Sequence, residues 1–568
     1  MCRILTLVSA TFILALHSLG VDGGLKEWRN NIIYHVYPRS FKDSNGDGVG
    51  DLPGITSKLE HVKDTGADTL YLSPIYSSPM KDFGYDVSNH KDIAVEYGTL
   101  EDFDGLIAKA KELGLKVLLD FVPNHTSDEH EWFKKSIDRI APYDDYYIWR
   151  DAKNGSNGER LPPNNWLSYM AGSAWEWNEK RQQYYYHAFV PGQPDLNYRN
   201  PKVKQEMDGV LLFWLRKGVD GFRVDAPNFL MEDAELRDEP KTGALVPERE
   251  HDSLYHIYTR SLNECYPVIE SWRNLLDDYS SKSHTSLKYL ILEAWAPIDH
   301  AMGYYNVGVD PFNFMLLFNV SRNSTPSEFK RVISTWLNAI PDSEVTNWII
   351  GNHDHHRVAS KFSKIDERTD QMPMLAMILP GIVMVYNGEE IGMLDRKFTY
   401  EETVDPYGCQ AGRERYHLYE RDAGRTPFQW DQTTSAGFSN NTKTWLPVNE
   451  NYKTLNLALQ KKAENSHYKI FQALTSLKRF SPVLKSGTTE ILATDDVLGI
   501  VRRLEGHRPI TLLINFSNSL TKIDAQSWLN IPEGVVVYTT SLGSGLEKGT
   551  TLNSSKLELK GAVSVVLM

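Results

Sequence analysis

Three carboxyl side chains each follow a short apolar run. They are Asp225 in Gly221-Phe222-Arg223-Val224-Asp225-Ala226, Glu293 in Glu293-Ala294-Trp295, and Asp354 in Gly351-Asn352-His353-Asp354. Side chains alternate along an extended strand, so Arg223 and Asp225 share one face and Phe222 and Val224 the other. A guanidinium beside a carboxylate stabilises the ionised form and lowers the acid's pKa, as a nucleophilic aspartate requires. Taken alone, this stretch is equally a structural Arg-Asp pair at a strand end. The indole of Trp295 near Glu293 acts in the opposite sense: an apolar neighbour disfavours the charged form and suits a general acid. Asp354 adds a third acid with a histidine beside it.

The elements that must position these groups recur along the chain. Short β-branched or aromatic runs at 31–37, 69–73, 116–124, 221–225, 289–293, 314–320, 348–354 and 382–387 alternate with amphipathic stretches such as 100–113 and 203–217. Eight strands alternating with helices predict an α/β fold, a (β/α)8 TIM barrel with its chemistry at the C-terminal strand ends. Asp225, Glu293 and Asp354 then end strands four, five and seven and converge on one mouth. Residues 127–191, rich in Trp, Tyr, Asn and Gly, are too long for an ordinary connection and predict a small inserted domain walling the site. Short strands after about residue 489 predict a C-terminal antiparallel β-sandwich domain over 489–568, leaving 25–126 and 192–488 as the barrel.

Three convergent acids with aromatic residues and histidines, and no Cys/His cluster of metal-ligand spacing, point to glycoside hydrolysis through an oxocarbenium-like transition state. Tyr85-Asp86 suits a sugar, the ring covering its C–H face and the carboxylate accepting from hydroxyls. The third strand ends Asp120-Phe121-Val122-Pro123-Asn124-His125, more polar than a buried strand end needs.

These segments, with Gln193-Pro194-Asp195-Leu196-Asn197, resemble those of the α-amylase family of glycoside hydrolases, in its insect α-glucosidase (maltase) branch, and run in that family's order across most of the chain. The resemblance implies Asp225 as nucleophile, Glu293 as acid/base and Asp354 as transition-state stabiliser. It implies that Arg223, His125 and His353 hold the sugar next to the broken bond, and that Asp86 and Arg425 pair to close the pocket, making the enzyme exo-acting. Tyr85 and Gln193 fall in the same substrate-binding segments. In similar enzymes the residue after the nucleophile is small in α-1,4-cleaving members and often valine in α-1,6-cleaving ones, so the resemblance with Ala226 at that position favours α-1,4 bonds; sucrose presents the same α-glucosyl unit. A relative that transfers or isomerises glucosyl groups would share this site, and a non-catalytic transporter heavy subunit would share the fold but with a longer membrane span and degraded acids.

The chain has 568 residues and a net charge of −13, a balance that argues against nucleic acid and anionic membranes as partners without favouring any substrate; small α-glucosides are the partners that the resemblance implies. Arg3 followed by the uncharged stretch 4–16 predicts a signal peptide over 1–20 and a secreted protein; no GPI-type tail is seen, so a soluble one is expected. Asn154, Asn319, Asn323, Asn440, Asn515 and Asn553 head glycosylation triplets; Asn124 does too but is expected to be inaccessible. Cys265 and Cys409 are too few for a disulfide framework, and the sequence leaves open whether they pair. Asp43, Asn45, Asp47, Val49 and Asp51 in Asp43-Ser44-Asn45-Gly46-Asp47-Gly48-Val49-Gly50-Asp51 resemble the first part of a calcium loop, although Gly54 stands where the bidentate glutamate belongs. Structural Ca2+ is the expectation, an Asx-rich turn the alternative.

Overall fold

A computed structural model describes residues 28–362 and 368–568. The expected signal peptide lies outside the described residues.

Eight parallel strands form one curled sheet: β1 (Ile32–Val36), β2 (Thr69–Leu72), β3 (Lys116–Phe121), β4 (Gly221–Val224), β5 (Tyr289–Leu292), β6 (Asp310–Pro311), β7 (Asn347–Ile349) and β8 (Ile382–Tyr386). Their hydrogen-bonded order runs β6-β5-β4-β3-β2-β1-β8-β7. At the seam between β6 and β7 a side chain replaces the ladder. Asn347, fully buried, donates to the Pro311 carbonyl at 2.8 Å and accepts from the Asn313 N–H at 2.8 Å.

Strand alternation sets two cores. Ile33, Tyr71, Leu118, Ile291, Ile349 and Met384 fill the barrel interior, whereas Tyr34, Leu72, Leu119, Phe222, Val224 and Leu292 face the outer helices. The helix Leu100–Glu112 starts at a Thr99/Asp102 capping box, and Pro201–Arg216 starts with Asn200 as cap and proline in the first turn, so their orphan N–H groups are satisfied locally. Each turns Leu, Val, Met or Phe at helical spacing onto the sheet.

One strand differs from expectation. The sixth strand is Asp310–Pro311, and the run predicted at 314–320 contains the helix Met315–Phe318. A continuous apolar run cannot be assigned by periodicity. Here Asn313 decides it, its side-chain oxygen accepting from the Met315 N–H at 3.1 Å and turning the chain.

Between β3 and β4 the chain builds a separate three-stranded antiparallel sheet, Trp149–Arg150, Gln183–Tyr186 and Trp175–Asn178, with Trp166, Trp175 and Tyr186 packed ring against ring. Isolated bridges His125↔Asp195 and Tyr147↔Leu196 fasten it to the mouth of the barrel. After the helix His467–Phe480 comes a six-stranded antiparallel sheet whose strands run from Thr488–Ala493 to Ser564–Leu567. Buried Arg502 of this sheet donates to the carbonyls of Ile378, Leu484 and Gly487, tying the sheet to the barrel's outer helices.

Candidate active site

Parallel register brings the polar residues together. Arg223 on β4 is level with Asp120 on β3 and Ile291 on β5. One step further, the Asp225 N–H donates to Phe121 O at 2.8 Å and the Glu293 N–H to Val224 O at 3.0 Å, so the two acids leave adjacent strand ends in step. Arg223 Nη1 donates to Asp120 Oδ1 and to Asp225 Oδ1, each at 2.7 Å, and its Nη2 meets Glu293 Oε2. The other oxygen, Glu293 Oε1, has no hydrogen-bond partner among the described residues. All four residues are between 1 and 7% exposed.

Asp354 ends the chain segment after β7 and is held from the opposite side. Arg425 Nη2 donates to its Oδ1 at 2.9 Å and Arg421 Nη1 to the same oxygen at 3.3 Å, while His353 Nε2 lies 3.4 Å from Oδ2. The Tyr85 hydroxyl donates to Asp120 Oδ2 at 2.9 Å and sits 2.8 Å from His353 Nε2, with the two rings stacked, joining both halves of the site.

Electrostatics separates the acids. Burial pushes Glu293 well above the ordinary carboxyl range; the Arg223 guanidinium opposes that rise without cancelling it, and the neighbouring charges of Asp225 and Asp354 add to it. Asp225 is also raised, which corrects the expectation of a lowered value. Burial outweighs Arg223, because one guanidinium is shared among three carboxyl groups, Asp120 included; Asp120 is itself pushed up by burial to about 6. Burial acts in the same sense on Asp354, but the guanidinium groups of Arg421 and Arg425 hold it well below the usual range. His353 is kept neutral by burial, so the two arginines provide the persistent positive charge.

A cavity of about 330 Å³ opens on these groups. Of the sequence-predicted residues, Asp225, Glu293, Asp354, Tyr85, His125 and Gln193 line it, Gln193 Nε2 lying 3.2 Å from His125 Nε2. Arg223 and His353 stand behind that lining. Asp86 and Arg425 are not brought together, contrary to expectation. Asp86 turns away into its own loop, accepting from the N–H groups of Lys81 and Asp82 and from Ser78 Oγ, while Arg425 donates to His353 O and Asp354. The pair across the cavity is Asp82 and Arg421, at 2.7 Å, with Asp405 fixing the same guanidinium at 2.6 Å. Sequence reading missed Asp82 and Arg421, although one stands three residues before Tyr85 and the other four before Arg425. It also missed the rim aromatics Tyr169, Phe189, Tyr407 and Tyr419. Ala226 lies in the cavity wall with φ 45°, a left-handed conformation that alanine adopts at a cost of ~1 kcal/mol or more and that turns the chain just past Asp225.

The loop with the calcium-like pattern is held by its own hydrogen bonds. Asp43 accepts from the N–H groups of Gly46 and Gly48, Asn45 from Asp47, Asp47 from Val49, and Asp51 from Ser44 and Gly54. Among the described residues no group of three or more His, Cys, Asp or Glu side chains is placed to hold a metal ion. Cys265 is buried, Cys409 exposed, and both are free. Asn515 is fully buried and donates to the carbonyls of Ser519, Leu559 and Lys560, so it is no acceptor for a glycan in the folded protein; the other five expected triplets begin with exposed asparagines.

Residues 35–487 match the family model "Alpha amylase, catalytic domain". Maltase 1 of Drosophila virilis is 47% identical over 96% of this chain and 87% of its own length. An alpha-glucosidase of Apis mellifera is 44% identical over 93% of this chain and 92% of its own. The crystal structure of the alpha-glucosyl transfer enzyme XgtA superposes with a TM-score of 0.81 at 32% identity, covering 95% of this chain and 99% of that one. Among the described residues no helix is long and apolar enough to cross a membrane.

Proposed function

The chain belongs to the α-amylase family of glycoside hydrolases, and from that premise we propose that it is a retaining, exo-acting α-glucosidase removing terminal glucose from maltose, short α-1,4-linked oligosaccharides and sucrose. The observation that carries the reading is one guanidinium, Arg223, shared by Asp225 and Glu293 at adjacent strand ends, with an ionised Asp354 facing them. In the first step an Asp225 oxygen bonds to the anomeric carbon as the glycosidic C–O bond breaks and Glu293 gives its proton to the leaving oxygen. In the second, water gives a proton to Glu293 and its oxygen takes the anomeric carbon from Asp225, releasing glucose with the α configuration retained. Asp354, kept charged by Arg421 and Arg425, faces the positive charge that develops on the ring. The Asp82–Arg421–Asp405 network closes one end of the cavity, which supports attack on a terminal residue only.

The test is proton NMR of the first product from maltose, sucrose and isomaltose. Glucose from the non-reducing end is expected as the α anomer, in excess over the anomeric mixture that the reducing ends of maltose and isomaltose supply; a β excess would rule out the double displacement. Similarity to an alpha-glucosyl transfer enzyme favours one second reading, in which a sugar hydroxyl replaces water in the second step. Oligosaccharides exceeding free glucose among the products at millimolar substrate would select it.

The separated acids give a pH profile. Glu293 works protonated, so activity is present below its raised pKa and lost as pH rises through it. Asp225 works ionised, so activity is lost as pH falls through a pKa that burial has also raised. The expected kcat/KM profile is a bell whose acid limb lies above the ordinary aspartate value of about 3.9. Glu293→Gln removes the basic limb; a basic limb unchanged in that variant would assign it to another group.

Secretion and glycosylation at the exposed triplets belong to the same proposal, as does structural Ca2+. The ion would take the oxygens of Asp43, Asn45, Asp47 and Asp51 and the Val49 carbonyl, a hard all-oxygen set, in competition with their bonds to backbone N–H groups. It would act on stability and not on the reaction. Millimolar Ca2+ added to chelator-treated protein is expected to raise Tm by several degrees; an unchanged Tm would assign the loop to its internal hydrogen bonds.

A further inference from the structure

Of the three groups against Asp354, only Arg421 is fully tied in place, clamped by Asp82 and Asp405. The other two are not. His353 Nδ1 and Arg425 Nη1 are both buried with no hydrogen-bond partner among the described residues. An imidazole is ordinarily oriented by bonds at its ring nitrogens, and a guanidinium by its fork, so something else must fix these two.

What they share is one aromatic ring. Tyr37 directly follows β1 and is buried, and its N–H donates to Asn387 Oδ1, just past β8, at 2.8 Å, which fixes its backbone between two strand ends. The Tyr37 ring stacks with that of His353, centroids 5.2 Å apart and planes 14° from parallel. Arg425 Cζ lies 5.3 Å from the centroid of the same ring. An aromatic face suits both contacts, since it stacks on imidazole and its negative quadrupole attracts a guanidinium. The Tyr37 hydroxyl does neither, being buried with no hydrogen-bond partner among the described residues. Tyr37 is absent from the lining of the sugar cavity, so it can reach the reaction only through its neighbours.

Resting on the α-glucosidase reading, we propose that Tyr37 is a positioning residue whose ring face sets His353 and Arg425, and through them the place of Asp354 opposite the developing charge. The ring also shields His353 from water. Burial keeps His353 neutral among Asp354, Arg425, Arg223, the phenols of Tyr37 and Tyr85, and His35, which burial itself pushes down to about 3. With the ring gone and water admitted, His353 regains a proton near the ordinary histidine value of about 6.5. An imidazolium at that place would oppose the positive charge that the transition state develops.

Tyr37→Leu is expected to lower kcat for maltose roughly 10²-fold with KM changed by no more than about threefold, because Asp354 acts on the transition state. Its kcat/KM profile should lose activity on the acid side nearer to about pH 6.5 than the wild type does. Tyr37→Phe keeps the ring and is expected to restore kcat and the acid limb to within about twofold of wild type. Its urea midpoint should be equal or higher, since only an unpartnered hydroxyl is removed. A Phe variant as impaired as the Leu variant would assign the effect to the hydroxyl; a folded Leu variant with wild-type kcat and acid limb would leave Tyr37 a structural residue. Either overturns the proposal. Should Tyr37→Leu not fold, the Phe variant decides: wild-type kcat supports the ring, and a loss beyond about tenfold overturns it. Folded wild type that hydrolyses no maltose would count against the functional reading instead. NMR titration of the His353 imidazole, assigned with His353→Gln, then tests the ring alone: protonation near about pH 6.5 in the Leu variant only supports it, and equal titration in all three proteins overturns it.

Discussion

Asp225→Asn is expected to lower kcat for maltose by roughly 10⁴-fold or more, because the carboxamide cannot form the glycosyl ester and the rest of the site offers no second nucleophile in line with β4. Glu293→Gln is expected to cost less, roughly 10²–10⁴-fold, the range of general acid catalysis. The two losses differ in kind. With α-glucosyl fluoride, whose leaving group needs no proton, the Glu293→Gln loss in the first step should shrink by at least about tenfold, while that of Asp225→Asn should not. Burst kinetics with both substrates measure this, with circular dichroism to establish folding. Equal losses on both substrates in both variants would remove the division of roles.

Arg223→Met is the second large effect, and it falls on stability as well as on rate. The guanidinium is the shared partner of Asp120, Asp225 and Glu293, all buried. Removing it leaves carboxyl groups uncompensated in a low-dielectric interior, which costs about 3–5 kcal/mol for a broken buried pair. The acids can escape only by taking up protons, and a protonated Asp225 is no nucleophile. The variant is therefore expected to unfold at lower urea and to lose maltose hydrolysis by more than about 10³-fold. Arg223→Lys separates the two effects. It restores a charge but not the fork that reaches Asp120 and Asp225 through one nitrogen and Glu293 through another, so much of the stability should return and little of the activity. A Met variant with wild-type urea midpoint would show that the carboxyl groups are neutral without it.

The sequence by itself determined the barrel, the inserted sheet, the terminal β layer and the three acids at strand ends. Each is written in a local signal: apolar runs of strand length, helical periods opened by Thr99 or Asn200, and polar residues just past the apolar run. The barrel then converts order along the chain into convergence at one mouth, since parallel strands in register end together. Tertiary structure alone decided what depends on contacts between distant segments. Asp82 and Arg421, 339 residues apart, take the place expected of Asp86 and Arg425, because Asp86 is spent on its own loop's N–H groups and no periodic pattern marks which loop carboxylate faces inward. The sixth strand was misplaced because an apolar run without alternation does not distinguish strand from helix. The sign of the Asp225 shift reversed for the same physical reason as the pocket pair. Adjacency in sequence reveals the Arg223 neighbour, but not the burial or the two further carboxyl groups that compete for its charge, and those arrive from other strands.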